Sequence, residues 1–222
     1  MEYRRLGRTG LKVSAIGLGT EHLKQTRENM EQVLRVAVAA GVNYVDVLYS
    51  NPVADAPFWD SFAPELNRYR DRLILAAHWG PSDMYPDPAK CQRCLDLVLE
   101  RVDNGYFDVV MLTVVDSEKT WNGWAQESLA RLRPYKDQGR IGYIGLSGHV
   151  APIAAQAAES GVIDVLMYPI NLLNHDDDEV KSLYRACAEQ DVGLVAMKTY
   201  HGGTLLFAKG APSGITPVQC LH

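Results

Sequence analysis

Residues 107–113 read FDVVMLT and residues 141–147 read IGYIGLS. Both runs are almost entirely apolar, as is typical of parallel strands that are buried on both faces. Similar runs recur at regular intervals on either side of this pair. They are Val13–Leu18, Asn43–Leu48, Leu73–His78, Ile163–Tyr168 and Val192–Lys198. The sequence therefore predicts seven buried strands.

Helical patterns fill the gaps between these strands. Apolar residues recur at helical spacing in three sets, which are Met30, Val33, Leu34, Ala37 and Ala40; Cys94, Leu95, Val98, Leu99 and Val102; and Val180, Leu183, Tyr184 and Cys187. Asp87-Pro88 and Thr216-Pro217 are typical helix starts. Gly41 and Gly161 stand where a helix would end. Regular alternation of strand and helix predicts a parallel sheet, open or closed.

The two ends of the chain add a hairpin and an open question. Tyr3–Leu6 and Leu11–Ser14 flank Gly7–Gly10 and predict a hairpin. Thr216-Pro217 starts a seventh helix shortly before the sequence stops. An eighth strand and helix are therefore missing. We expect either that the chain is incomplete at its C-terminus, or that another chain or an unusual closure covers the gap. No linker divides the sequence, which predicts one domain over residues 1–222.

Composition excludes several classes of protein. Of the 222 residues, 47% are hydrophobic and 22% are charged, which is ordinary for a globular chain. The net charge of −5 and the lack of a basic patch argue against nucleic acid as a partner. No apolar run reaches the roughly 20 residues of a membrane span, and the N-terminus does not resemble a signal peptide. Four cysteines and no leader predict a reducing, cytoplasmic location.

Polar residues follow each predicted strand. In α/β barrels, reactive side chains come from these strand ends and the loops after them. Five of the six histidines fall at such positions, which predicts one polar mouth. In chain order, the polar residues are Thr20, Glu21 and His22; Asp46 and Tyr49; His78; Thr113 and Asp116; Ser147 and His149; Asn171 and His175; and Lys198 and His201.

Several segments carry a resemblance to a known family. The opening YRRLGRTGLKVSAIGLGT, together with GVNYVDVLY, GRIGYIGLSGH and VGLVAMK, resembles the aldo-keto reductases in register from residue 3 to 222. AAHWG and the DVLY stretch resemble a divergent branch in which an iron-sulfur segment often follows the barrel; this sequence has none. The resemblance implies an α/β fold, a (β/α)8 TIM-type barrel with an N-terminal hairpin, here without its eighth unit. It also implies hydride transfer between a nicotinamide cofactor, usually NADP, and a carbonyl.

The family uses an Asp, a Tyr, a Lys and a His for the proton chemistry, and the resemblance carries these over in part. Asp46 occupies the Asp position. The Tyr position is Asn51, and the nearest tyrosine is Tyr49. The Lys position is His78, and the His position is Thr113. The candidate catalytic residues are therefore Asp46, Tyr49, His78 and Thr113.

The cofactor positions are also carried over by resemblance. Ser147 matches the family's Ser near the nicotinamide amide, and the neighbouring Asn is Gly148 here. Asn171 and Lys198 match positions near the cofactor, and His149 is a candidate phosphate contact or a neighbour of a helix start. The basic residues that read the 2′-phosphate of NADP lie in and after the eighth strand. This sequence lacks that segment, which leaves the choice of cofactor open. NADP is expected as the usual cofactor of the family, with NAD as the alternative.

Other motifs have simpler explanations. In the run Cys91-Gln92-Arg93-Cys94, the two cysteines fall on the same helix face as Leu95 and Val98, so we expect core packing rather than a zinc or redox site. The run Asp176–Glu179 suits a solvated helix N-terminus. Gly202-Gly203 is weak evidence for a phosphate contact.

Three functions remain open from the sequence. The first is a nicotinamide-dependent oxidoreductase acting on a small carbonyl or alcohol. The second is a barrel without catalysis that serves as a binding or regulatory subunit, with self-association through its open edges. The third is a metal-dependent hydrolase or lyase that uses the histidines at the mouth, although no HxH or HExxH spacing supports it and no metal ligands are assigned.

Overall fold

A computed structural model describes residues 1–48, 56–208 and 211–221. The strands are β1 Tyr3–Arg5, β2 Lys12–Ser14, β3 Leu18–Gly19, β4 Tyr44–Val47, β5 Ile74–Trp79, β6 Phe107–Thr113, β7 Ile141–Ser147, β8 Val165–Pro169, β9 Gly193–Met197, β10 Phe207–Ala208 and β11 Ala211–Pro212. The helices are α1 Arg27–Ala39, α2 Ala56–Arg68, α3 Pro88–Leu99, α4 Glu118–Thr120, α5 Gln126–Asp137, α6 Ala151–Glu159, α7 Asp178–Glu189 and α8 Pro217–Leu221. A π-helical segment, Trp121–Ala125, joins α4 to α5.

Seven of the strands, β3 to β9, form one parallel sheet. The strand order is β3-β4-β5-β6-β7-β8-β9, so each strand pairs with its neighbours in sequence. Helices lie between consecutive strands, as in a (β/α)8 barrel without its eighth unit. This confirms the predicted fold class. Over the described residues, β3 and β9 are the two edges of this sheet.

The N-terminal hairpin is also confirmed. β1 and β2 pair antiparallel, with Arg4 opposite Val13, and a short 3₁₀ turn at Gly7–Thr9 connects them. The Tyr143 hydroxyl donates to the carbonyl of Thr9 at 2.6 Å, which ties this turn to β7. The hairpin therefore covers the amino-terminal end of the sheet, and the carboxyl ends of the strands form the opposite side.

The first predicted strand differs from the structure. The sequence predicts one strand over Val13–Leu18. In the structure, β2 of the hairpin ends at Ser14, and the parallel sheet begins with β3 at Leu18. The amide of Ser14 donates to Asn43 Oδ1 at 2.6 Å, and the Ser14 hydroxyl donates to the carbonyl of Ile16 at 2.8 Å. These bonds turn the chain out of the hairpin, which leaves β3 only two residues long.

Two apolar cores lie on the two faces of the sheet. The larger core joins the outer face to the surrounding helices and includes the fully buried Phe58, Trp59 and Phe62 of α2. The smaller core fills the inner face, with its members drawn from the hairpin and from alternate strand positions. They are Leu6, Val13, Tyr44, Ala76, Val109, Met111, Val165 and Met167. Side chains of one strand alternate between the faces, so this inner set fixes which residues point inward.

The helix boundaries follow the expected signals. Asp87 precedes Pro88 of α3 and accepts from the amide of Ala89 at 2.9 Å. Thr216 precedes Pro217 of α8 in the same way. Gly41 and Gly161 follow α1 and α6 with φ of 87° and 74°, the left-handed geometry that ends a helix. Among the described helices, none is both long and apolar enough to cross a membrane.

Candidate active site

Three predicted catalytic residues lie together on the inner face of the sheet. Asp46, His78 and Thr113 each stand two positions after a member of the inner core on adjacent strands β4, β5 and β6. A spacing of two keeps a side chain on the same face of its strand. The three side chains therefore meet at the carboxyl ends of the strands, above the apolar inner core.

His78 links the other two residues. Its Nε2 lies 2.8 Å from Oδ1 of Asp46, and its Nδ1 lies 2.7 Å from Oγ1 of Thr113. The Thr113 hydroxyl also lies 3.1 Å from the carbonyl oxygen of Met111. The imidazole is thus held at both nitrogens, and neither nitrogen points to solvent.

The donor and acceptor properties of these groups restrict the position of the protons. An ionised carboxylate only accepts, so Nε2 of His78 donates to Asp46. The single hydroxyl proton of Thr113 then has two acceptors within reach. If the hydroxyl donates to Nδ1 of His78, Nδ1 carries no hydrogen and the imidazole is neutral. If the hydroxyl donates to the carbonyl oxygen of Met111, Oγ1 can accept a hydrogen bond from a protonated Nδ1. Rotation of one hydroxyl therefore lets His78 hold either charge without movement of a heavy atom.

The three side chains differ in access to the mouth. The His78 side chain is only 3% exposed, whereas that of Asp46 is 18% exposed. Thr113 is buried. Asp46 is therefore the member of this group that a small molecule at the mouth can reach. His78 is buried beneath it and holds its carboxylate by a hydrogen bond.

The tyrosine position, Asn51, lies outside the described residues. Tyr49 also lies outside them. Tyr44, two positions before Asp46 on the inner face, is buried, and no hydrogen-bond partner of its hydroxyl is found among the described residues. Burial, together with the charges of Asp46 and Asp108, holds the pKa of this phenol well above its usual value. Tyr44 is thus a poor proton donor at neutral pH.

A second hydrogen-bonded group spans β6 to β9 at the same side of the sheet. Oδ1 of Asp116 accepts from the amide of His149 at 2.5 Å, and Oδ2 lies 3.0 Å from Nδ1 of the same residue. Nε2 of His149 lies 2.8 Å from Nζ of Lys198. His149 and Lys198 were both predicted as cofactor residues. The structure brings them into direct contact.

The other predicted cofactor residues lie around this second group. Ser147 ends β7 and is buried. Gly148 follows it, and a Cβ at that position would lie 2.8 Å from the carbonyl oxygen of Val115. The amide nitrogen of Asn171 donates to the carbonyl of Lys198 at 3.4 Å, while its oxygen accepts from the amide of Leu173 at 3.0 Å. Asn171 therefore joins the loops after β8 and β9.

Sequence reasoning noted Asp116 as a polar residue after a strand but gave it no role. Its place depends on the backbone of Val114, which has a φ of 61°. Left-handed backbone is a true outlier for a β-branched residue. The carbonyl of Val114 accepts from the Ser82 hydroxyl at 2.6 Å, which helps to hold this turn. No local sequence pattern predicts a turn with positive φ at a valine.

The remaining histidines and the cysteines form no further site in the described part of the chain. His22 lies 3.8 Å from Glu21 in an exposed pair. Over the described ranges, no three His, Cys, Asp or Glu side chains are placed to hold a metal ion. Cys91 is buried, and burial raises the pKa of its thiol to about 12. This supports the prediction that the Cys91 side chain packs in the core.

Fold and site together define an incomplete α/β barrel with polar side chains at the carboxyl ends of its strands. The comparison with known proteins then identifies its family. The chain matches the Aldo/keto reductase family over residues 15–216, and it belongs to that family.

The curated relatives are distant and longer. L-glyceraldehyde 3-phosphate reductase of Escherichia coli K12 is 28% identical over 163 residues, which cover 67% of this chain and 46% of that protein. L-galactose dehydrogenase of Arabidopsis thaliana is 24% identical over 227 residues, 96% of this chain and 69% of that protein. The chain spans about half the length of the first of these relatives.

Solved structures support the fold. An aldo-keto reductase from Bacillus halodurans, solved in its holo form, superposes with a TM-score of 0.79 at 20% identity. The match covers 97% of this chain and 72% of that one. At this level of identity, the likeness supports the fold alone.

Proposed function

We propose that this protein is an NAD(P)-dependent oxidoreductase that reduces a small carbonyl compound or oxidises the corresponding alcohol. We further propose that residues 1–222 act as one barrel domain, in the cytoplasm. Family membership supports this proposal, as do relatives named as a reductase and a dehydrogenase. The observation that carries it is the bonded group Asp46–His78–Thr113 at the carboxyl ends of three adjacent strands.

Asp46 and Tyr49 are the residues proposed to act at the substrate. Tyr49 follows Asp46 closely in sequence, and a phenol is a suitable proton donor to a carbonyl oxygen when nearby groups lower its pKa. Asp46 is the more exposed member of the bonded group. A protonated imidazole behind Asp46 would supply the positive charge that the family obtains from a lysine.

His78 and Thr113 act as positioning residues in this scheme. His78 fixes the carboxylate of Asp46 through Nε2, and Thr113 fixes the imidazole through Nδ1. The Thr113 hydroxyl can turn between Nδ1 of His78 and the carbonyl oxygen of Met111, so it fits either arrangement of the protons while the heavy atoms stay in place.

Ser147, Gly148, His149, Asn171 and Lys198 are the residues proposed to hold the cofactor. The fit is favourable because these residues include an exposed cation, Lys198, whose Nζ lies 2.8 Å from the imidazole of His149. Ammonium groups are common partners of phosphate oxygens. When bound, a nicotinamide cofactor supplies or accepts the hydride. NADP is proposed first, with NAD as the alternative.

The test is a titration of the 222-residue chain with NADPH and, in parallel, with NADH. The readout is quenching of tryptophan fluorescence by energy transfer, which needs no contact: Trp79 packs in the outer core, one residue after His78 on β5. Saturation at micromolar NADPH supports the cofactor proposal. Absence of binding at millimolar concentrations of both cofactors would refute it for this chain.

Variants then separate binding from turnover on a panel of small aldehydes and ketones. Tyr49→Phe and His78→Ala should leave the Kd for the cofactor within a few fold and lower kcat strongly, because both residues serve the proton and not the cofactor. Unchanged kcat in both variants would remove them from the mechanism.

The alternative is a barrel that acts as a binding or regulatory subunit. The observation that favours it is the pair of sheet edges, β3 and β9, which have a partner on one side only among the described residues. Open edges offer unpaired backbone groups to another strand. Sedimentation over a wide concentration range tests this: association supports the subunit proposal, and a monomer throughout argues against self-association.

A further inference from the structure

Asp116 determines the direction of every bond in the second group. Its carboxylate can only accept, so the Nδ1 atom of His149 must carry a hydrogen and donate to Oδ2. In a neutral imidazole, Nε2 is then the acceptor. It receives one hydrogen of the Lys198 ammonium, whose nitrogen lies 2.8 Å away. A negative charge in the loop after β6 thus sets the partner of a cation that follows β9.

The space for the Asp116 carboxylate exists because residue 148 is glycine. A Cβ on Gly148 would lie 2.9 Å from Oδ1 of Asp116 and 2.8 Å from the carbonyl oxygen of Val115. Real Cβ atoms do not approach oxygen atoms so closely, so a side chain at 148 would require the Asp116 carboxylate and the Val115 carbonyl to move. Asp116 and Gly148 therefore form a matched pair.

The backbone of Lys198 is held in a costly conformation. Its φ is 53°, a left-handed value that is unfavourable for a residue other than glycine. The amide of His201 donates to the Lys198 carbonyl at 2.7 Å, and the Asn171 amide donates to it at 3.4 Å. Strain of this kind persists where the surrounding structure fixes it and is concentrated at functional sites.

We propose that Asp116 is a positioning residue, which acts through His149 to hold the Lys198 ammonium at the mouth for an anionic oxygen of a phosphate-bearing ligand. His149 uses one of the three ammonium hydrogens, and the others are directed at the ligand. The identity of that ligand as a nicotinamide dinucleotide rests on the proposed function. The positioning of Lys198 by Asp116 does not.

The isosteric variant Asp116→Asn tests the positioning step. The amide oxygen keeps the bond from the His149 backbone, so the amide nitrogen faces Nδ1 as a donor. Nδ1 must then lose its hydrogen, and the proton moves to Nε2. Two donors now face each other, and Lys198 loses its partner. Asp87→Asn is the matched control, because Asp87 also accepts from a backbone amide but lies outside this group.

The first readout needs no ligand. The ¹⁵N shifts of the His149 ring, assigned by their loss in His149→Gln, report which nitrogen carries the hydrogen. We expect hydrogen on Nδ1 in the wild type and in Asp87→Asn, and on Nε2 in Asp116→Asn. The same tautomer in all three proteins would overturn the proposal.

The second readout is the Kd for NADPH. Loss of a charge-assisted hydrogen bond weakens binding by roughly ten- to a hundredfold. We expect such a loss in Asp116→Asn and in Lys198→Met, and none in Asp87→Asn. The double variant Asp116→Asn/Lys198→Met should bind no worse than Lys198→Met, because Asp116 acts through Lys198. Additive losses, or an unchanged Kd in Asp116→Asn, would overturn the proposal while leaving the proposed function intact.

Inorganic pyrophosphate separates the two proposals. If the wild type binds pyrophosphate but not NADPH, and Lys198→Met binds neither, the anion site stands and the proposed function fails. If the wild type binds neither probe, the ligand proposed for Lys198 is wrong as well.

Discussion

Removal of the Thr113 hydroxyl is the sharpest perturbation of the first bonded group. Thr113→Val keeps the size and branching of the side chain but leaves Nδ1 of His78 without its partner at 2.7 Å. Both residues are about 5% exposed, so water does not readily replace the hydroxyl. A buried polar atom without a partner costs about 1–3 kcal/mol. We therefore expect Thr113→Val to lower the free energy of unfolding by about that amount, although valine is the more apolar residue.

Thr113→Ser is the matched control. It keeps the hydroxyl and loses one methyl group, which costs about 1 kcal/mol when buried. A double-mutant cycle with His78→Leu isolates the bond itself. Without the imidazole, Thr113→Val should cost nothing or stabilise the fold, so the coupling energy between positions 78 and 113 should be at least about 1–3 kcal/mol.

The assay is urea unfolding at pH 7, followed by tryptophan fluorescence, with the m-value compared among variants. The reasoning would be refuted by a Thr113→Val variant as stable as the wild type, or by a coupling energy near zero. Either result would mean that His78 gains nothing from Thr113 in the folded state.

Three further predictions concern strain, close packing and thiol reactivity. Gly7→Ala should lower the free energy of unfolding by about 2–4 kcal/mol, because a Cβ there would lie 2.2 Å from a backbone nitrogen of β9 at a φ of 50°. Gly10→Ala, which also has a positive φ but has open space around the Cβ, should lower it by only about 1 kcal/mol. Equal losses of the two variants in urea unfolding would contradict the clash at Gly7. Lys198→Gly should raise stability by about 0.5 kcal/mol, since relief of strain exceeds the added chain entropy; a lower melting temperature would count against it. Burial raises the pKa of Cys91 to about 12 and that of Cys187 to about 11. Both thiols should therefore resist iodoacetamide at pH 8 until the protein is denatured, and mass spectrometry showing alkylation of the native protein would contradict this.

The fold could be predicted because its signals are local. Each buried strand is a nearly continuous apolar run, and each helix begins or ends at a proline, a capping residue or a glycine. The prediction was wrong in detail at residues 13–18, where bonds between Ser14 and Asn43 divide the predicted strand. Those bonds join residues far apart in sequence, and no local pattern announces them.

The members of the group Asp46–His78–Thr113 could be predicted one by one from the sequence, but their contacts with one another could not. Asp46, His78 and Thr113 could be placed at strand ends from the sequence. Their mutual contacts depend on the register of three strands, which places His78 opposite Met111 and Asp46 opposite Ala76. The roles proposed for them remain predictions, as does the role of Tyr49.

The second group shows why a substituted family position has to be judged in three dimensions. In sequence, Gly148 reads as the loss of an amide side chain beside the cofactor. In the structure, the Asp116 carboxylate lies against the place where a side chain at 148 would begin, and it binds His149 from there. A carboxylate only accepts hydrogen bonds, whereas an amide also donates. With a glycine at 148 and the Asp116 carboxylate beside it, position 148 has no side-chain amide donor. The hydrogen-bond donors come from Lys198, after β9, and their placement depends on the charge of Asp116, after β6.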